Sequence, residues 1–153
     1  MLRLLLASHL LAASLACSSS APPAPTGTVE ILEPPATGDL VEYVKQQVQR
    51  GEQDRVPVLV YVGATWCAPC REFHAAVQQR KLDAELGPLR LLELDLDRDG
   101  VYLEAAGYRS ELVPLFARPG PDGRASGRQF DGVKQGAPYV EQLVPKVRAL
   151  LDR

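Results

Sequence analysis

An α/β fold, with a mixed sheet of four to five strands and helices on both faces, is predicted by three features of the sequence. Val58-Leu59-Val60-Tyr61-Val62 is a continuous apolar, β-branched run, the mark of a central strand buried on both faces. Leu89 to Leu96, with leucine at 89, 91, 92, 94 and 96, reads as a second such strand. Pro119-Gly120-Pro121-Asp122-Gly123 is a strong turn signal between two short segments, as in an antiparallel hairpin.

The elements follow in order. Val29-Glu30-Ile31-Leu32 forms a short strand ended by Pro34-Pro35. Asp39 caps a helix to about Arg50, with Leu40, Val41, Val44 and Val48 on one face and Gly51 as its stop. After the Val58–Val62 strand a helix runs from about Ala68 to Lys81. Beyond the second central strand, Asp99 caps a short helix through Ala106 that Gly107 closes. Leu115 to Arg118 is a strand, and Ser126 to Asp131 returns antiparallel to it. A closing helix spans about Pro138 to Leu151, with Val140, Leu143, Val144, Val147 and Leu150 or Leu151 inward; Pro145 should kink or restart it. No internal repeat is evident.

The 153 residues suffice for one domain with a hydrophobic core. A formal net charge of -2 gives no electrostatic case for nucleic acid or for an anionic membrane surface. The N-terminus reads as a targeting segment. Arg3 precedes an apolar stretch from Leu4 to Ala16, too short to span a bilayer and the right size for a secretory signal. Ser14-Leu15-Ala16-Cys17 resembles a bacterial lipoprotein processing site, which would make Cys17 the lipidated first residue, although serine stands where leucine is usual. The other reading is ordinary cleavage after Ala16, leaving a free thiol that an oxidising compartment would disfavour. The expected organisation is a signal at 1–16, a lipidated cysteine with a Ser/Pro-rich tether at 17–28, and one domain at 29–153.

The chemistry-bearing run is Trp66-Cys67-Ala68-Pro69-Cys70. Thiol–disulfide exchange needs a thiolate to attack and a second thiol to resolve the mixed disulfide. A Cys-x-x-Cys at a helix start supplies both, because unpaired N–H groups and the macrodipole stabilise the first thiolate. The second cysteine lies three residues on, on the same face. Pro69 fits the first helical turn. A structural zinc site lacks ligands, since only Cys67, Cys70, His74 and the distant Cys17 are on offer. Attachment of c-type haem needs histidine where Arg71 stands. No metal and no cofactor are expected. An inert structural disulfide stays open as the alternative.

Val58 through Cys70 resembles the thioredoxin superfamily's strand and Trp-Cys-x-Pro-Cys site, and the likeness continues through Leu94-Asp95-Leu96-Asp97, Val113-Pro114, Asp122-Gly123 and Gly132. The resemblance implies that Cys67 attacks and Cys70 resolves, the two forming a reversible disulfide. It implies that Trp66 packs beside the site as part of the substrate-docking surface. Pro114 would follow a cis peptide bond and face the cysteines, with the Val113 backbone pairing with an extended substrate. Two positions depart from thioredoxin: Tyr61 replaces a buried carboxylate thought to relay a proton, and Gly63 replaces a second tryptophan. Water or Glu72 would then accept the Cys70 proton; His74, one turn beyond Cys70, is placed to tune it but reads better as a helix-surface histidine.

Ala68-Pro69 brings no charge between the cysteines, so the pair should be fairly reducing. The expectation is a disulfide reductase or electron relay, with a thiol oxidase/isomerase or a non-catalytic binding lipoprotein as alternatives. Cys70-Arg71-Glu72-Phe73 resembles the C-terminal thioredoxin-like domain of the DsbD membrane reductase and its free-standing relatives. The implied setting is the bacterial periplasm, with a lipid on Cys17 anchoring a monomer to a membrane. Its implied partners are cysteine-containing client proteins and a membrane electron donor.

Overall fold

Val58–Gly63 (β2) and Leu89–Asp95 (β3), the two segments expected to be central strands, lie side by side in one five-stranded sheet. The computed structural model describes residues 27–134, 136 and 138–152. The expected signal, Cys17 and the tether up to residue 26 lie outside the described residues. The remaining elements are β1 (Val29–Leu32), α1 (Leu40–Asp54), α2 (Ala68–Gln78), α3 (Asp83–Leu86), α4 (Leu96–Ala106), β4 (Leu115–Pro119), β5 (Ala125–Asp131) and α5 (Tyr139–Leu151).

The sheet order is β1-β3-β2-β4-β5, so β2 is the middle strand. It runs parallel to β3, with Val58 opposite Arg90 and Gly63 opposite Asp95, and antiparallel to β4, with Val62 opposite Leu115. Alternation along β2 and β3 feeds two cores. Leu59, Tyr61, Leu89 and Leu91 pack under α2 and α5 with Phe73, Leu143 and Val147. Val60, Val62, Leu92 and Leu94 pack on the other face with Val44 of α1 and Leu103 of α4. Each such side chain contributes about 1.5–3 kcal/mol on full burial, which makes the central pair the rigid part of the scaffold.

Several boundaries differ from the expectation. Gly51 does not stop α1. The helix continues to Asp54 and ends at Arg55, whose φ of 58° is left-handed and whose N–H donates to the Glu52 and Gly51 carbonyls. Gly51 is glycine for space, because a Cβ there would lie 2.5 Å from Val58 Cγ2 and 2.7 Å from the Val56 carbonyl oxygen. Helix α2 ends at Gln78 rather than Lys81, and Arg80 turns the chain at φ 61°.

Asp95, not Asp99, caps α4, its carboxylate accepting from the Asp97 and Arg98 N–H groups. Asp99 reaches back instead to the Asp95 N–H at 2.8 Å, a reciprocal arrangement akin to a capping box. Burial opposes ionisation of Asp99, but the Arg98 guanidinium and that N–H still hold its carboxyl below the usual 3.8. The short α3 was not expected from the sequence; its Asp83 accepts the Val29 N–H and so ties down the start of β1. Helix α5 runs through Pro145 without restarting. Pro145 is exposed, so the backbone acceptor it leaves unpaired faces solvent.

The Gly51 geometry carries a test that separates spacing from helix propensity. Alanine favours a helix interior over glycine by about 1 kcal/mol, yet overpacking at this contact costs about 1–3 kcal/mol. Gly51→Ala should therefore lower the urea midpoint of the oxidised protein. A raised midpoint would show that Val56 and Val58 yield at no cost.

Candidate active site

β2 delivers the chain to the site at its C-terminal end. After Gly63 the backbone turns, with the Cys67 N–H donating to the Ala64 carbonyl at 3.1 Å, and α2 begins. Cys67 is the N-cap of α2, with φ -78° and ψ 109°, and its Sγ accepts the Cys70 N–H at 3.2 Å. Pro69 sits in the first turn, where its missing N–H leaves no helical bond unmade. Cys67 and Cys70 are joined as a disulfide with their Cα atoms 5.3 Å apart, and each is 4% exposed. On reduction, the Cys70 N–H that this sulfur accepts and the N-terminal end of the α2 dipole favour the Cys67 thiolate.

Of the sequence-predicted site residues, Trp66, Pro69, Val113 and Pro114 lie among the described residues, and Cys17 does not. The Val113–Pro114 peptide bond is cis. Pro114 directly precedes β4, and because Leu115 pairs with Val62, it stands level with the C-terminal end of β2 from which the cysteines project. Its carbonyl accepts the Gly132 N–H at 2.9 Å. Pro114 is buried and Val113 half-buried. Trp66 is 61% exposed, and its indole Nε1 donates to Asp97 Oδ2 at 2.9 Å, which fixes the ring at the rim of the site. Among the described residues no group of three or more His, Cys, Asp or Glu side chains is placed to hold a metal ion.

Beneath the disulfide, Tyr61 is fully buried and its hydroxyl donates to the Cys70 carbonyl at 3.2 Å. Desolvation, reinforced by the nearby Glu93 charge, pushes the phenol well above its ordinary 10.0, so it stays protonated. A cleft of about 300 Å³ opens beside it, lined by Gly63, Cys70, His74 and Glu93 among others. His74 Nε2 lies 3.3 Å from Glu93 Oε2, so His74 is tied into the site rather than standing free on the helix surface. Glu72 is exposed and does not line this cleft. Sequence reasoning missed Glu93. Its signal was a carboxylate flanked by leucines on both sides, Leu92 and Leu94, in the run of β3.

No protein-family model matches the chain. It is 29% identical over 65 residues to mitochondrial thioredoxin O of Oryza sativa subsp. japonica, covering 42% of this chain and 36% of that protein. It is 29% identical over 76 residues to thioredoxin Asp f 29 of Aspergillus fumigatus, covering 50% of this chain and 66% of that one. The chain thus spans less than two thirds of the length of these curated relatives. Among solved structures, Trichomonas vaginalis thioredoxin superposes with a TM-score of 0.51 at 19% identity, covering 78% of this chain and 96% of its own. Oxidised thioredoxin O1 of Arabidopsis thaliana does so with a TM-score of 0.50 at 18% identity, covering 82% and 96%.

These structural likenesses are of fold alone, and they accord with the five-stranded mixed sheet flanked by helices. Fold and site together define a thioredoxin-like α/β protein. This chain has a thioredoxin-like α/β fold, and at the β2–α2 junction it carries a cysteine pair, Cys67–Cys70, joined as a disulfide.

Tyr61 carries a pH test. The unfolded chain releases the phenolic proton near pH 10, whereas the folded chain holds it beyond that point. Tyr61 thus contributes full stability below about pH 10 and loses it as pH rises further. Tyr108, buried with its hydroxyl on the Gly123 carbonyl, shifts in the same direction and adds to the effect. Tyr61→Phe should cost about 1 kcal/mol at neutral pH and should flatten the alkaline fall in the urea midpoint. An unchanged alkaline slope would contradict this account.

Proposed function

We propose that the protein is a thiol–disulfide oxidoreductase of the cell envelope that reduces client disulfides or relays electrons through Cys67 and Cys70. The observation that carries this is the placement of the pair. Its first sulfur caps α2, at the strand end that Val113-Pro114 also reaches. Cys67 thiolate attacks a client disulfide, and Cys70 then resolves the Cys67–client bond. The client leaves as a dithiol and the pair is left oxidised. The relatives named thioredoxin support the same class of reaction.

Reduction is favoured over oxidation because Ala68 and Pro69 add no charge that would stabilise the thiolate further. Envelope location rests on the sequence of residues 1–17, which supports a secretory signal followed by a lipidated Cys17. A reductase held there needs an electron source. A membrane-embedded donor fits both that need and a lipid anchor, as does the resemblance to the DsbD C-terminal domain.

Two measurements test the reading. The wild type should accelerate insulin reduction by dithiothreitol, Cys67→Ser and Cys70→Ser should fall to background, and Cys70→Ser should trap its client as a mixed disulfide. Equal, negligible rates in all three would leave a non-catalytic binding protein with a structural disulfide. In glutathione buffers the potential should lie nearer about -270 mV than the roughly -120 mV of strong periplasmic oxidants; the reverse would make it an oxidase. For location, the protein expressed with its N-terminus in a bacterium should enter the detergent phase of a two-phase extraction. Cys17→Ser should move it to the aqueous phase, and an aqueous wild type would remove the anchor from the proposal.

A further inference from the structure

The resolving step needs Cys70 to lose a proton, and Tyr61, protonated and donating to the Cys70 carbonyl, does not accept it. The cleft beside Cys70 offers another route. Glu93 is the register partner of Tyr61 on the parallel neighbour β3, so the two side chains project from the same face of the sheet. Its carboxylate is 24% exposed at the cleft wall, and His74, one helical turn beyond Cys70, lies 3.3 Å from it. Gly63 keeps the passage open, since a Cβ there would lie 3.2 Å from Tyr61 Oη and 3.6 Å from Cys70 Cβ. The cleft of about 300 Å³, with Arg71, His74 and Glu93 in its lining, has room for several waters.

We propose that Glu93, oriented by His74, accepts the Cys70 proton through water in this cleft. The inference rests on the redox reading above and names the general base of its second step. Cys70 S–H gives its proton through water to the Glu93 carboxylate, and the thiolate attacks the Cys67 sulfur of the mixed disulfide. The Cys67–Cys70 bond forms and the Cys67–client S–S bond breaks. The electron pair leaves on the client sulfur, which takes up a proton. Glu93 returns its own proton to solvent.

Charge around the carboxylate suits the role. Burial pushes the Glu93 carboxyl above its ordinary 4.5, toward the pH range where a base is most effective. His74 on α2 opposes that shift where it is protonated, as does Arg98 on α4; Glu33 after β1 and Asp95 on β3 reinforce it. Arg71 on α2 also lines the cleft, and Tyr61 on β2 faces it as a neutral phenol.

The test is single-turnover reaction of the reduced protein with dithiobis(nitrobenzoate). One coloured thiolate is released when Cys67 attacks and a second when Cys70 resolves. Rates of both releases are followed between the ordinary Glu and Cys pKa values, about 4.3 to about 8.5. Glu93→Gln should slow the second release on the order of 10²-fold relative to the first near neutral pH. The deficit should shrink as rising pH ionises the thiol directly. His74→Asn, on a half-exposed helix face, keeps the test open if Glu93→Gln fails to fold. It should move the acid limb of the second release upward without abolishing it, because the carboxylate loses the partner that holds its pKa down.

A second release whose pH profile is unchanged in either folded variant overturns the proposal and leaves bulk solvent as the acceptor. A wild type that shows no first release overturns the redox reading and this inference with it. A first release followed by an unperturbed second overturns this inference alone.

Discussion

The contact on which the rest of the site depends is the aromatic cluster beneath α2. Tyr61 of β2 and Phe73 of α2 have ring centroids 5.6 Å apart, and both meet Phe116 of β4, at 4.9 and 5.0 Å. Phe130 of β5 extends the stack at 5.2 Å, so all three phenylalanines of the chain belong to it. Such pairs contribute about 0.5–1.5 kcal/mol beyond their area, but their positional effect matters more. Phe73 lies three residues after Cys70 and shares its inward face, so locking Phe73 fixes the rotation of α2. That rotation sets where the Cys67 cap points. Because Phe116 lies two residues after Pro114, the same cluster holds the start of β4 against the end of β2.

The cluster also explains where charge is permitted. A carboxylate at position 61 would stand inside a shell of aromatic and aliphatic side chains, and an unpaired buried charge costs several kcal/mol or loses its ionisation. Tyrosine fills the space and satisfies its one polar group on the Cys70 carbonyl. Glu93, a carboxylate on the wall of the cleft beside Cys70, stands one strand away from Tyr61 and 3.3 Å from His74. There it keeps part of its hydration and still reaches the same opening as Cys70.

The fold was legible in the sequence where a single physical signal dominated. The β2 and β3 runs are buried on both faces as their composition requires, and Leu143, Val144, Val147 and Leu150 face inward at helical spacing. The Cys67–Cys70 pair was legible because its proline, spacing and preceding strand all agree. The misreadings fall where signals compete. Asp95, Asp97 and Asp99 can each cap a helix, and only the end of β3 decides among them. Gly51 resembles a stop in sequence, yet its role is close approach to Val56 and Val58, which no local pattern encodes. Glu93 was invisible as a site residue because its meaning depends on strand register, which places it beside Tyr61 from 32 positions away.

The two departures from the thioredoxin pattern are then one structural change rather than two. Extending position 61 to a tyrosine carries its hydroxyl to the first turn of α2, into the space that a side chain at position 63 would approach. A Cβ at 63 would come within 3.2 Å of that hydroxyl, so an indole there would compete with Tyr61 for the same volume. Glycine resolves the conflict and leaves a gap between β2 and α2. That gap exposes the Cys70 side of the pair to the cleft and to Glu93. A bulky residue at 63 would at once crowd the tyrosine and close the passage to the carboxylate. Tyr61, Gly63 and Glu93 therefore form an interdependent set, in which the large residue fixes the helix, the small one opens the cleft, and the charged one faces it.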